Sequence, residues 1–193
     1  MAWLIVIPAV FAILRLVTRK YAFSALTTLS CAALVVARAP VMAAALAVSA
    51  VGDYFMAHKG NRESVYALGI AGFFVGHALF IAQAVSAARP CAIHWIVLAL
   101  LAALYGAYFL LRAMPRMPKS LRLPGALYTA ISVAGFACAL MTGSACYAVG
   151  IGLLLFSDTM IAENDFLGNH RVAALILPAY YLCHILVTLS ALI

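Results

Sequence analysis

Long uncharged runs recur from one end of this chain to the other, and they constrain its fold more than any motif. Val41 to Val51 holds no charge at all, and apolar stretches of comparable or greater length follow one another throughout. A bilayer core about 30 Å thick is crossed by roughly 20 apolar residues in a helix. The pattern predicts eight spans, at about 2–18, 22–37, 41–57, 66–88, 92–112, 123–141, 144–162 and 171–193. Charged residues make up 9% of the chain and hydrophobic ones 68%, with a mean hydropathy of +1.14. Soluble domains sit near 25% and 45–50%, so no soluble domain fits between the runs. The alternating pattern of a membrane barrel is absent, and in lipid the remaining way to satisfy the backbone is helix. The expected architecture is an all-α polytopic bundle forming a single transmembrane domain over residues 1–193. Its first residues, MAWLIVIPAVFAILRLV, read as a first span, since they lack a basic leader and a small-residue cleavage site. Cys31, Cys91, Cys138, Cys146 and Cys183 fall in or beside apolar runs without metal-like spacing, and are expected as small buried residues.

A net charge of +7 invites a nucleic-acid reading, but the placement of the charges argues for topology. Arg15, Arg19, Lys20, Lys59, Arg62, Arg112, Arg116, Lys119, Arg122 and Arg171 lie at the odd-numbered connections. The even-numbered ones hold only Arg38 and Arg89. Basic loops stay in the cytoplasm, so the odd connections are expected inside and both termini outside. The expected location is the bacterial inner (cell) membrane, with membrane lipids as partners and no nucleic acid.

Against that frame two acids stand out. Asp53 lies in SAVGDYFMAHKG near the end of span three, and Asp158 in LLLFSDTMIA near the end of span seven. Both are expected at the same depth, about 6 Å (one turn) below the cytoplasmic surface. An ionised carboxylate in a membrane helix costs at least about 2.5–3.5 kcal/mol and marks a functional candidate. Glu63, Glu163 and Asp165 fall in connections and are expected to be solvated. A weak internal echo links the pair: Asp53 is followed by His77 in the next span, and Asp158 by His184. Four-span units repeated in parallel are a known membrane arrangement. His77, Tyr128, Tyr180, Tyr181 and His184 reach into the same half of the bundle or its middle, so one cytoplasm-facing polar cavity is expected.

The stretches GDYFMA, LGIAGFFVGHALF, LPGALYTAIS, GLLLFSDTMIA and YYLCH, taken in order, resemble the YhhN family of bacterial and eukaryotic membrane proteins, which includes lysoplasmalogenases. The resemblance runs from about residue 49 to the C-terminus. It rests on G-D and F-S-D near span ends (the latter containing Ser157) and on G-x-x-x-F-x-x-x-H, here Gly69, Phe73 and His77. It implies a lysophospholipid substrate whose vinyl-ether bond is cleaved to a fatty aldehyde and a glycerophospho-base. By position it carries Asp53, His77, Tyr128, Asp158 and Tyr181 over as functional residues. The chain departs from the family pattern at Phe80, where Tyr is frequent, and at His184, which replaces a Gln.

The implied chemistry suits the residues. Protonating an alkene carbon makes an oxocarbenium ion that water captures. Two carboxylates can divide this labour as they do in glycosidases, one giving a proton and the other stabilising the cation and guiding water. The more apolar surroundings of Asp158 favour it as the acid. His77 and Tyr128 would orient water or relay protons, while His184, Tyr180, Tyr181 and Ser157 are supporting candidates that also suit plain helix packing. Gly52, Gly69 and Gly76 suit close helix approach.

A zinc site of Asp53, Asp158, His77 and His184 is the metal alternative. The histidines, two or more turns deeper than the acids by span counting, and the lack of H-x-x-x-H spacing weigh against it. No cofactor is expected. The functional alternatives are a proton-coupled small-molecule or lipid transporter and a structural membrane protein.

Overall fold

In the computed structural model, which describes residues 2–193, all regular structure is helical. A short 3-10 turn leads into α1 (Val6–Thr18). There follow α2 (Tyr21–Val35), α3 (Pro40–Ala57), α4 (Glu63–Val85), α5 (Ala92–Tyr108), α6 (Lys119–Met141), α7 (Ala145–Asp165) and α8 (Ala173–Leu192). Six of the helical segments are long and apolar enough to cross a membrane, so the chain is a multi-pass integral membrane protein. The two N-terminal helices are shorter, at 13 and 15 residues. The helix starts and ends follow local chemistry. Pro40 occupies the first turn of α3, where its missing N–H costs nothing. Ser144 caps α7 by accepting the Tyr147 N–H. In the tight α6–α7 link Gly143 has φ +71°, a left-handed conformation that glycine adopts without strain. Span five runs past Tyr108 as a π turn, Phe109–Ala113, ahead of Pro115.

Helix packing forms a closed ring. α2 packs on α3, α3 on α4, α4 on α6, α6 on α7, α7 on α8, and α8 back on α2. α1 lies outside the ring against α2 and α8, and α5 lies outside against α6. Exchanging the first four helices with the last four leaves the ring's packing order unchanged, the arrangement the Asp–His echo suggests. α3 with α4 and α7 with α8 make the most extensive pairs. Each is built on glycines: Gly72 brings its α-carbon edge against the Gly52 backbone, and Gly150 faces Val187 and the Cys183 carbonyl. A Cβ on Gly72 would meet Gly52 Cα at 2.9 Å, so only hydrogen fits.

Outward faces carry the large apolar residues that lipid accepts. α5 is the extreme case, with no buried residue and with Ile93, Trp95, Ile96, Leu100 and Leu104 exposed. The cysteines correct the expectation of uniform burial. Cys31 and Cys183 are buried in the ring, Cys138 and Cys146 are half-buried, and Cys91 is exposed because it caps the start of α5 in a connection.

Candidate functional site

Inside the ring the two acids take partners from equivalent helices. Asp158 on α7 accepts the Tyr128 hydroxyl of α6 at 2.8 Å, and its Oδ2 lies 3.6 Å from His77 Nε2 of α4. Asp53 on α3 has Thr28 of α2 and Tyr180 of α8 as polar neighbours, with the Arg15 charge of α1 acting on it. Each acid thus faces the helix that precedes it and the second helix of the opposite hairpin.

His77, expected two or more turns deeper than the acids, nevertheless meets Asp158, whereas His184 meets neither acid. A helical side chain leans toward the N-terminus of its own helix. The positive-inside pattern has α4 and α7 running in opposite directions, so their side chains lean toward each other along the membrane normal. The ring of His77 folds back on its own turn, its Nδ1–H donating to the Phe73 carbonyl at 3.0 Å. In the neutral imidazole Nε2 then carries the lone pair, and it faces a carboxyl oxygen. The two groups approach without repulsion when one proton is shared between them. A carboxyl and an imidazole in this geometry, with the Tyr128 O–H beside them, have the chemistry to hold one transferable proton.

Two cavities meet at Asp158. One, of about 90 Å³, lies among α4, α5, α6 and α7. Its wall is largely apolar, with Ile70, Phe109, Met117 and Leu155, and with Tyr66, Tyr108 and Tyr128 bearing hydroxyls. The other, of about 230 Å³, lies among α1, α2, α3, α7 and α8. It is lined by Arg15, Tyr21, Ser24, Asp53, Lys59, Asn164, Asp165 and Tyr180. Asp158, Met56, Phe73 and Ile161 border both. Either volume exceeds the roughly 10–15 Å³ a water requires. Glycines set the dividing wall: a Cβ on Gly52 would press the Phe73 ring at 3.1 Å, and one on Gly69 would strike Met56 Sδ at 2.7 Å.

Arg15 Nε, Asp53 Oδ2, His77 Nε2, Ser132 Oγ and Tyr180 Oη are buried without a hydrogen-bond partner among the described residues, and all lie at these cavities or against Asp158. Buried polar atoms without partners are rare in native interiors, and their clustering marks a place for water and ligand. His184 Nε2 and Thr188 Oγ1 share this state farther along α8.

The other candidates are placed less centrally. Tyr181 donates to Ser24 Oγ at 2.8 Å and does not line either cavity, whereas Tyr180 reaches the one holding Asp53. His184 lies 3.3 Å from Thr28 Oγ1 and stacks edge-on against Tyr180, at 4.2 Å between ring centres, so it touches the site through these two residues. Ser157, in contrast, lines the cavity that holds Asp53, and it donates to the Ile176 carbonyl, tying α7 to α8. Among the described residues, no three His, Cys, Asp or Glu side chains converge as a metal-ligand group, so the residues present do not fit the metal alternative.

At the rim Glu63 is exposed, as expected, whereas Glu163 and Asp165 are half-buried and held by partners, which corrects the expectation that they are solvated. α7 continues to Asp165, which pairs with Lys59 and accepts hydrogen bonds from Tyr66 and the Asn164 amide. Glu163 accepts from Tyr108 and Asn169, and Glu63 from Ser120. Sequence reasoning assigned Arg15 and Lys59 to topology and passed over Tyr66 and Tyr108. Their place at the cavities follows from helix packing, which leaves no local signature.

No curated protein and no solved structure matches this chain significantly. The YhhN family model matches residues 9–191, nearly the full length. A match over nearly the whole chain shows the family: the chain belongs to the YhhN family.

Proposed function

We propose that this protein is an intramembrane hydrolase of the lysoplasmalogenase type, cleaving the vinyl-ether bond of a single-chain glycerophospholipid. The observation that carries the reading is the junction of a largely apolar cavity with one that several charged and polar side chains line, at one carboxyl, Asp158, which also touches a histidine and a tyrosine. A vinyl ether sits where a hydrocarbon chain meets a polar glycerol, so its reacting carbons belong at such a junction.

Asp158 delivers its proton to the alkene carbon one removed from the ether oxygen. The alkene electron pair forms the new C–H bond, and the adjacent carbon and oxygen share the positive charge. Tyr128 keeps the carboxyl oriented, and the lone pair of His77 Nε2 relays a proton back to it. Asp53, across the junction, takes the part of the base: as a carboxylate it stabilises the oxocarbenium and takes a proton from the attacking water. The resulting hemiacetal collapses, breaking its bond to the glycerol oxygen, which receives a proton and leaves as the glycerophospho-base. The hydrocarbon leaves as a fatty aldehyde. Water and lipid consumed equal aldehyde and alcohol formed, with no redox change.

The test is aldehyde release from lysoplasmenylcholine by purified protein in detergent. The reading expects aldehyde and glycerophosphocholine in equal amounts. No release by protein that elutes as a folded species would overturn it.

A further inference from the structure

The cationic end of the polar cavity has a use that the hydrolytic chemistry does not require. Arg15, in the last turn of α1, makes no ion pair among the described residues, and its Nε is buried without a hydrogen-bond partner. Lys59, in the α3–α4 connection, lines the same cavity and is paired with Asp165. That pair can open at low cost, because Asp165 keeps the Tyr66 hydroxyl and the Asn164 amide as donors when Lys59 leaves. Ser24, Tyr21 and Asn164 add further donors to the wall. One fork of guanidinium donors and one mobile ammonium, at the wet end of a cavity whose other end holds the reacting carboxyls, are suited to an oxyanion.

We propose that this end of the cavity binds the phosphodiester of the substrate's head group, with Arg15 fixing it and Lys59 transferring to it from Asp165. The proposal rests on the reading of a glycerophospholipid substrate and deepens it. The three-carbon glycerol then runs from the phosphate at Arg15 toward the ether oxygen near Asp158; Arg15 and Asp158 both line this cavity. Lys59 acts as a latch, closing on Asp165 when the cavity is empty and on phosphate when it is filled.

The experiment measures binding with a lipid the protein cannot cleave, so that it stands apart from catalysis. Affinity for 1-O-hexadecyl-glycerophosphocholine is compared with that for 1-O-hexadecylglycerol, in an uncharged detergent, for wild type, Arg15→Gln, Lys59→Gln and Arg116→Gln. Arg116 is an exposed basic residue that lines neither cavity. The expected result is that wild type and Arg116→Gln prefer the phosphate-bearing lipid by about tenfold or more, while each cavity variant brings the ratio near one. Arg15→Lys is expected to restore part of it. If Arg15→Gln does not fold, Lys59→Gln, altered in a connection, carries the test alone.

Equal affinity of wild type for the two lipids overturns the proposal, as does a preference that survives in both cavity variants. Millimolar inorganic phosphate added as a competitor separates the sources. Failure to displace the lipid supports a head-group site. Phosphate binding without lipid preference would make the cavity a free-anion site and overturn the lipid assignment. Retained preference with no aldehyde release from lysoplasmenylcholine would leave this site standing while removing the hydrolase reading alone.

Discussion

At Asp158 the Tyr128 hydroxyl and the His77 ring meet one carboxyl, and each is expected to have a separable role. Tyr128→Phe removes one O–H donor and no bulk. Its expected effect is a fall in kcat of about ten- to a hundredfold with KM little changed, since a single hydrogen bond to a charged group contributes about 1.5–3 kcal/mol. His184 makes the opposite case. Its ring contacts Thr28 and Tyr180, and neither acid, so His184→Gln, the residue of the family pattern, is expected to stay within a few-fold of wild-type activity. A loss of a hundredfold or more in a folded His184→Gln protein would place the ring in the chemistry. Residues such as Asp53 and Asp158 were legible in the sequence because a carboxyl in an uncharged run has few bland explanations. His77 was legible as a motif member but not as a partner of Asp158. That contact arises from side chains leaning toward each other from two helices, which span counting along one helix does not capture.

Between helices the controlling feature is backbone contact at glycine. Gly72 and Gly52 hold α3 against α4, and Gly52 also makes room for Phe73, the wall between the two cavities. Gly72→Val places side-chain atoms where Gly52 now sits, so α3 must move and carry Asp53 with it. Overpacking of this kind costs typically about 1–3 kcal/mol. The expected outcome is a lower unfolding temperature together with lost activity, read by a thermal melt in detergent and by aldehyde release. A substitution with no effect on either would remove the close approach from the account. The sequence reading picked out Gly52, Gly69 and Gly76 as packing glycines and missed Gly72, because glycines in a G-rich apolar helix look alike until the neighbouring helix is placed. The π turn at Phe109–Ala113 was equally hidden, since hydrophobic periodicity is insensitive to one residue of extra winding.

Across the whole molecule the ring of α2, α3, α4, α6, α7 and α8 encloses the acids, while α1 and α5 flank it. The helical class and most spans could be read from the apolar runs, because a membrane leaves a chain few alternatives. The closed packing order could not, since nothing in a single span names its neighbours. The charge pattern predicts a sidedness that can be tested directly. Cys91, exposed at the start of α5, is expected to react with a membrane-impermeant maleimide added outside intact cells. Lys59→Cys in a Cys91→Ser background is expected to react only after the membrane is opened. Reversed labelling would invert the orientation and put the cavities' basic rim outside.

The central claim is that Asp158 hands a proton to a vinyl-ether carbon at the junction of the two cavities. The most direct measurement is hydrolysis of lysoplasmenylcholine in D₂O, with mass analysis of the aldehyde trapped as it forms, for wild type and Asp158→Asn. The account predicts one deuterium on the carbon next to the aldehyde carbon, and a rate at least about 10²–10⁴-fold lower for the folded variant. Aldehyde without deuterium, or release undiminished by Asp158→Asn, would contradict it.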